Sequence, residues 1–214
     1  MGRWLSNVGA MELIAETTDL SCYLDADEAI DHRHPLVRET AALLRAGAPG
    51  PYEYAERAFG HVRDTVAHSA DAGNQRVTWR ASDVLEQRTG ICHAKAHALA
   101  ALLRAEGIPA GLCYQRLTED DGTDPVLHGL IALWLPGRTR WSRVDPRGNK
   151  SGVDARFQLD RERLAWPVRP ELGERDYPMV YAAPAAPVLA ALRAAASRAE
   201  LVLPAQLPDP VPPS

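Results

Sequence analysis

Three residues of this chain have the types and order needed for covalent acyl chemistry: Cys92, His128 and Asp145. A thiolate can attack a carbonyl carbon, an imidazole can take and return the proton, and a carboxylate can hold the imidazole in one tautomer. Cys92 opens the run CHAKAHALAALLRAEG, in which steps of four, three and four residues lead to Ala96, Leu99 and Leu103, with Ala100 beside them. That spacing predicts a helix from about Cys92 to Ala105 with one apolar stripe, headed by Cys92. The free N–H groups and partial positive charge of a helix start depress the pKa of a thiol placed there. The same groups can stabilise an oxyanion, and Gly90 allows a substrate to approach the backbone closely.

His128 begins a strand-like run in which Leu130, Ala132 and Trp134 share its face. If Pro136–Thr139 forms a four-residue hairpin loop, Trp134 pairs with Trp141, Ala132 with Arg143 and Leu130 with Asp145. Asp145 is then the diagonal neighbour of His128 on one face, whereas a loop of odd length would separate them. Taken singly, each residue has an ordinary explanation: a small core cysteine, a satisfied core histidine, and a turn aspartate before Pro146. Their joint presence is what points to a nucleophile, base and orienter.

Other residues fit the chemistry less well. His93 and His97, four apart, have a metal-binding spacing but no evident third ligand, and His93 could instead stand at the mouth of the site. Lys95 follows Cys92 by three residues, where it reads as solvated, as an acid's partner or as a group lowering the thiol pKa. Gln75, Trp79 and Gln87 are candidate side-chain oxyanion donors among which sequence does not choose. Trp134 and Trp141 read as cross-strand packing or as cleft walls, Cys113 as core, and Cys22 has no nameable partner.

The elements that must position these groups follow from periodicity and turn chemistry. MELIAETTDLSCYL alternates like an edge strand, LVRETAALLRAG reads as a helix ended by Gly47, and APGPYEY as a loop. AERAFGHVRDTVAHS forms a second helix, DAGNQRVT a turn, and SDVLEQR a short helix capped by Ser82. After Gly107 the period changes to two, and AGLCYQRL, VLHGLIALWL and RWSRVDP read as strands. Helices followed by consecutive antiparallel strands predict an α+β domain over residues 1–180, with helices on one side of the sheet. Residues 181–214 read as an Ala/Pro-rich C-terminal helix and a loose tail.

Bulk properties narrow the function classes. The chain of 214 residues is 46% hydrophobic and 24% charged, which is ordinary for a soluble globular domain. A net charge of −4 with no long basic run argues against nucleic acid or an anionic membrane as partner. MGRWLSNVGAMELIAETTDL lacks a signal peptide's apolar core, and no stretch reaches membrane-span length, so a cytoplasmic protein is expected. Three scattered cysteines do not make a disulfide framework. Neither cofactor nor metal is required, and the expected partner is a peptide, protein or small amide substrate; oligomeric state is not legible.

The pieces GICHAKAHALAALLRAEGIPAGLCYQ, LHGLIALWL and RWSRVDPRGNK resemble the transglutaminase-like superfamily, in that family's order of Cys, His and Asp. The resemblance is strongest over residues 60–150, and the DPRGNK and GERDYP stretches are similar to a small bacterial subgroup. It implies a papain-like α+β core with Cys92 as nucleophile, His128 as general base and Asp145 as its orienter. His93 stands where many transglutaminases carry tryptophan, which leaves hydrolysis or another acyl transfer open beside glutamine–lysine crosslinking. No acidic loop suggests a calcium site.

Overall fold

The computed structural model describes residues 11–208. Strand β1 (Ile14–Ala15) is followed by helices α1 (Pro35–Arg45) and α2 (Pro51–Thr65), strand β2 (Ala67–His68), helix α3 (Ala81–Gln87), strand β3 (Thr89–Gly90) and helix α4 (Cys92–Ala105). Strands β4 (Ala110–Leu117), β5 (Val126–Leu133) and β6 (Ser142–Val144) come next, then the short β7 (Arg175–Asp176) and β8 (Met179–Val180), and finally helix α5 (Ala186–Ala194). The main sheet has the order β6-β5-β4-β7 and is antiparallel throughout. Two parallel pairs, β1 with β8 and β2 with β3, flank it, the first tied to β4 by the bridge between Leu112 and Tyr181.

Several boundaries follow directly from local chemistry. α4 starts at Cys92 and is closed by Gly107, at φ 72°, with Ile108 N–H reaching back to Leu103 O at 3.0 Å. α2 begins earlier than expected, inside the segment read as a loop. Pro51 occupies its first turn, where a fixed φ and a missing N–H cost nothing. Ser82 does not cap α3. It lies in the first turn, and Asp31 from a distant loop takes its N–H at 3.0 Å and its hydroxyl at 2.5 Å. The expected N-terminal strand is reduced to β1, because Asp19 captures the N–H and hydroxyl of Ser21 (2.9 and 2.7 Å) and winds Leu20–Leu24 into a 3-10 turn.

α4 is the centre of the molecule. The expected single stripe is too narrow, since every residue from Cys92 to Arg104 is buried. Its six alanines, from Ala94 to Ala105, keep the helix thin, so α1, α2 and α3 pack against it as well as the sheet. The two long basic side chains this buries are satisfied by carbonyls. Arg104 reaches Ala110 O, Asp25 O and Ala182 O. Lys95 donates to Arg63 O at 3.2 Å and to Val66 O, which caps the end of α2.

Leu112, Tyr114, Leu127, Ile131 and Leu133 face α4 in one core. Cys113, Leu130 and Ala132 face the other way, against Tyr23, Trp141 and Val180. Beyond residue 180 the chain packs on the main core through Val188 and Leu192. Leu207, in the end expected to be loose, is buried, and its N–H donates to Tyr177 Oη at 2.9 Å. Residues 209–214 lie outside the described residues.

Candidate active site

The hairpin register is the one a four-residue loop requires: Ile131 pairs with Val144, Ala132 with Arg143 and Leu133 with Ser142. β6 ends at Val144, so Asp145 projects just past it, and its Oδ2 lies 2.7 Å from His128 Nε2. Asp145 is fully buried. Its carboxylate accepts two further bonds, from Arg147 N–H on Oδ1 and from Ala165 N–H on Oδ2, each at 3.0 Å. One side chain therefore both closes the turn expected of an Asp before Pro and bonds the His128 ring.

The short β6 also leaves the edge of β5 open beside Gly129, and the tip of α4 fills the gap. Gly129 N–H donates to Cys92 Sγ at 3.5 Å, and a methyl on Gly129 would sit 2.7 Å from His93 Cδ2. Gly90 is needed for a similar reason, since a Cβ there would lie 2.9 Å from Ala94 Cβ. No side chain caps the start of α4, so the N–H groups of its first turn remain available beside the thiol.

Burial alone would push the Cys92 thiol up. The charge of His93, then the charge and hydrogen bonding of His128, and a hydrogen bond from His68 outweigh it and hold the thiol well below its usual range. The reverse holds for His128. Burial opposes its charged form, yet the Asp145 carboxylate and the Cys92 sulfur push it up to about 10. The pair thus favours thiolate and imidazolium. His128 Nε2 is committed to Asp145, which leaves Nδ1 for the sulfur.

Cys92 and His128 open onto a cleft of about 660 Å³. Its lining mixes apolar side chains, Leu117, Val126, Leu127, Leu201 and Leu203 among them, with charged ones of both signs, such as Arg147, Lys150, Asp120 and Glu174. Trp166 stands edge-on to His128 with ring centroids 5.2 Å apart, and Arg147 stacks over its other side at 4.8 Å.

Residues 38–146, just over half of the chain, match the profile of the transglutaminase-like superfamily. The chain belongs to that superfamily. A solved candidate cysteine protease from Cytophaga hutchinsonii superposes with a TM-score of 0.51 at 19% identity, over 61% of this transglutaminase-like chain and 43% of its own. A red sea bream transglutaminase gives 0.40 at 14% identity, over 55% of this chain and 27% of its own. The chain thus spans under half the length of either protein. No curated protein matches it. The α+β arrangement, with helices and an antiparallel sheet around a central helix headed by cysteine, agrees with the papain-like core expected from the motifs.

Among the transglutaminase-like motif residues, Cys92, His128 and Asp145 are brought to one place. Other expectations change. His93 is not at a mouth; it is buried, with Nδ1 3.3 Å from Cys92 Sγ. His97 Nδ1 is bonded to Trp79 O at 2.8 Å, and burial lowers its pKa to about 4. The two rings do not converge, and no cluster of three metal-ligating side chains occurs among the described residues. Lys95 is not solvated but fully buried, and burial lowers its pKa to about 8. Gln75, Trp79 and Gln87 lie outside the cleft: Gln75 Oε1 holds Ala199 N–H, Trp79 stacks under Arg80, and Gln87 pairs with Glu86. No helix among the described residues is long and apolar enough to cross a membrane.

His68, Asp71, Arg147 and Trp166 were missed. His68 sits in a two-residue strand, too short to show a period, and Trp166 in an irregular stretch. The burial of Arg147, which binds Asp71 through two bonds of 2.5 and 3.0 Å, has no local signal.

Proposed function

We propose that this protein is a cysteine-dependent acyl-transfer enzyme acting on an amide or related acyl group through a thioester on Cys92. The observation that carries the reading is the polarised pair of a depressed thiol and a raised imidazole, the latter held by a buried carboxylate at 2.7 Å. Family membership and the likeness of fold to a candidate cysteine protease support it.

In this reading the Cys92 thiolate attacks the carbonyl carbon and the carbonyl π electrons move to oxygen. The uncapped N–H groups of α4 receive the oxyanion. As the tetrahedral species collapses, the C–N bond breaks and the His128 imidazolium protonates the departing amine. Asp145 keeps Nε2 engaged, so that Nδ1 carries the proton traffic. The thioester is then resolved by water, as in a protease or amidase, or by an amine, as in an acyltransferase. Water is the acceptor we favour, since it is always present and no amine-binding group stands out. The apolar residues lining the cleft suit the acyl part of a peptide, protein side chain or small amide substrate.

The test uses an activated ester, p-nitrophenyl acetate, as acyl donor. Peptide mapping by mass spectrometry should place an acetyl group on Cys92, released by neutral hydroxylamine as a thioester is. Cys92→Ala should carry none, and His128→Ala should acylate far more slowly. Acetyl on surface lysines alone would reject the proposal.

A further inference from the structure

One imidazole in the cleft, His68, has no part in the bond-breaking steps above beyond its hydrogen bond to the resting Cys92 sulfur. His68 lies on β2, which runs parallel to β3 with His68 opposite Gly90, two residues before the nucleophile. Ser69 N–H donates to Gly90 O at 3.1 Å and ties the two strands together. His68 is thereby fixed to the same piece of backbone that delivers Cys92, and both line the cleft.

Behind His68 stands a carboxylate. His68 Nδ1 is buried, has no hydrogen-bond partner among the described residues, and lies 3.9 Å from Asp71 Oδ2. That is too long for a hydrogen bond but within reach of the Asp71 charge, whose side chain is 32% exposed and partly screened by solvent. Asp71 is itself clamped by Arg147, at 2.5 and 3.0 Å, and by Lys150 at 2.9 Å. Burial would favour its neutral form, but these two cations hold it firmly ionised. In the free enzyme His68 hydrogen-bonds the Cys92 sulfur; once the sulfur is acylated and no longer a thiolate, the fixed negative charge facing Nδ1 favours the tautomer with its proton there, which frees the Nε2 lone pair towards the cleft.

We propose that His68, backed by Asp71, is a second base of the site, which takes the proton from the water or amine that resolves the Cys92 thioester. The inference rests on the acyl-transfer reading above. Water oxygen bonds to the thioester carbon, its proton passes to His68 Nε2, and the carbonyl π pair moves to oxygen. On collapse the C–S bond breaks, its electron pair stays on sulfur, and a carboxylic acid leaves. His68 and the acid then release one proton each; one recharges His128 and the other goes to solvent. An amine follows the same course and leaves as an amide. The two His–Asp pairs divide the cycle: His128 with Asp145 serves bond cleavage to the leaving group, and His68 with Asp71 serves the incoming one.

Pre-steady-state kinetics with p-nitrophenyl acetate separate the steps, because the burst of p-nitrophenolate reports acylation and the following steady rate reports deacylation. In His68→Gln, which keeps much of the shape but cannot act as a base, the burst should keep its amplitude, slowed only by the changed hydrogen bond to the Cys92 sulfur, and the steady rate should fall on the order of 10²-fold. Acetyl-Cys92 should accumulate in the mass spectrum. His68→Ala should behave alike, and added imidazole should restore its deacylation, which a purely structural role would not allow. The proposal is overturned if both variants keep the wild-type steady rate, or if burst and steady rate fall together without imidazole rescue. A wild type whose p-nitrophenolate release is unchanged in Cys92→Ala sinks the acyl-transfer reading itself and this inference with it.

Discussion

Gly129→Ala adds one methyl group where the tip of α4 meets β5. The new Cβ would lie 2.7 Å from His93 Cδ2 and 3.0 Å from both His93 Cγ and His93 Cα. Carbon atoms in good contact stand about 3.5–4.0 Å apart, so the overlap is roughly 0.5–1 Å. One of the atoms met is backbone, so a rotamer change of His93 cannot relieve it. The strain is purely steric, because Gly129 does not use a left-handed conformation. The start of α4 must therefore back away from β5. Overpacking of this kind costs about 1–3 kcal/mol, which for a chain of this size lowers Tm by roughly 2–10 °C. The same displacement lengthens the 3.5 Å contact between Gly129 N–H and Cys92 Sγ and parts the thiol from His128. Misplacement by about 1 Å costs reactivity on the order of 10²-fold. Thermal unfolding by circular dichroism and the rate of Cys92 alkylation measure both effects. A variant that melts and reacts like the wild type would refute the packing of α4 on β5 described above.

Two further outcomes follow from buried charge. In Asp145→Asn, an amide N–H₂ must face one of three donors, Arg147 N–H, Ala165 N–H or His128 Nε2. The loss of the carboxylate should lower the His128 pKa and slow Cys92 alkylation at neutral pH on the order of 10²-fold; an unchanged rate would show that Asp145 does not orient the base. Lys95 gives a stability signature. Its folded pKa is about 8 against 10.5, so the cost of burying its charge is fully present below pH 8. Between those values the unfolded chain holds the proton that the folded one has released, so stability rises with pH, by about 3 kcal/mol at most. Urea unfolding at intervals across that range should show the rise in wild type and not in Lys95→Met; parallel profiles would refute the assignment.

Legibility in the sequence followed the length of each signal. α4 and β4 appear at the residues predicted because fourteen and eight residues of periodic pattern bounded by glycine leave little freedom. The placement of Asp145 beside His128 depended on one loop length, and Pro136–Thr139 delivers it. Local competition hid other features. Asp19 diverts a strand-like alternation into a turn, and Pro51 starts a helix inside an apparent loop. The alanines of α4 disguised its burial, since small residues read as neutral until three helices are seen to press on them. His68 could not be found from pattern at all. It reaches the site through a two-residue parallel pairing between segments more than twenty residues apart.

The central claim is an activated Cys92–His128 pair, and the pH dependence of Cys92 alkylation by iodoacetamide, followed by mass spectrometry, tests it most directly. In the wild type Cys92 should react fast well below about pH 8, where ordinary thiols are protonated. Cys113, fully buried and with its pKa raised by burial to about 12, should stay silent as an internal control. His128→Ala should slow Cys92 and move its profile to higher pH. A Cys92 that titrates like an ordinary thiol, with no change in the histidine variant, would contradict the account.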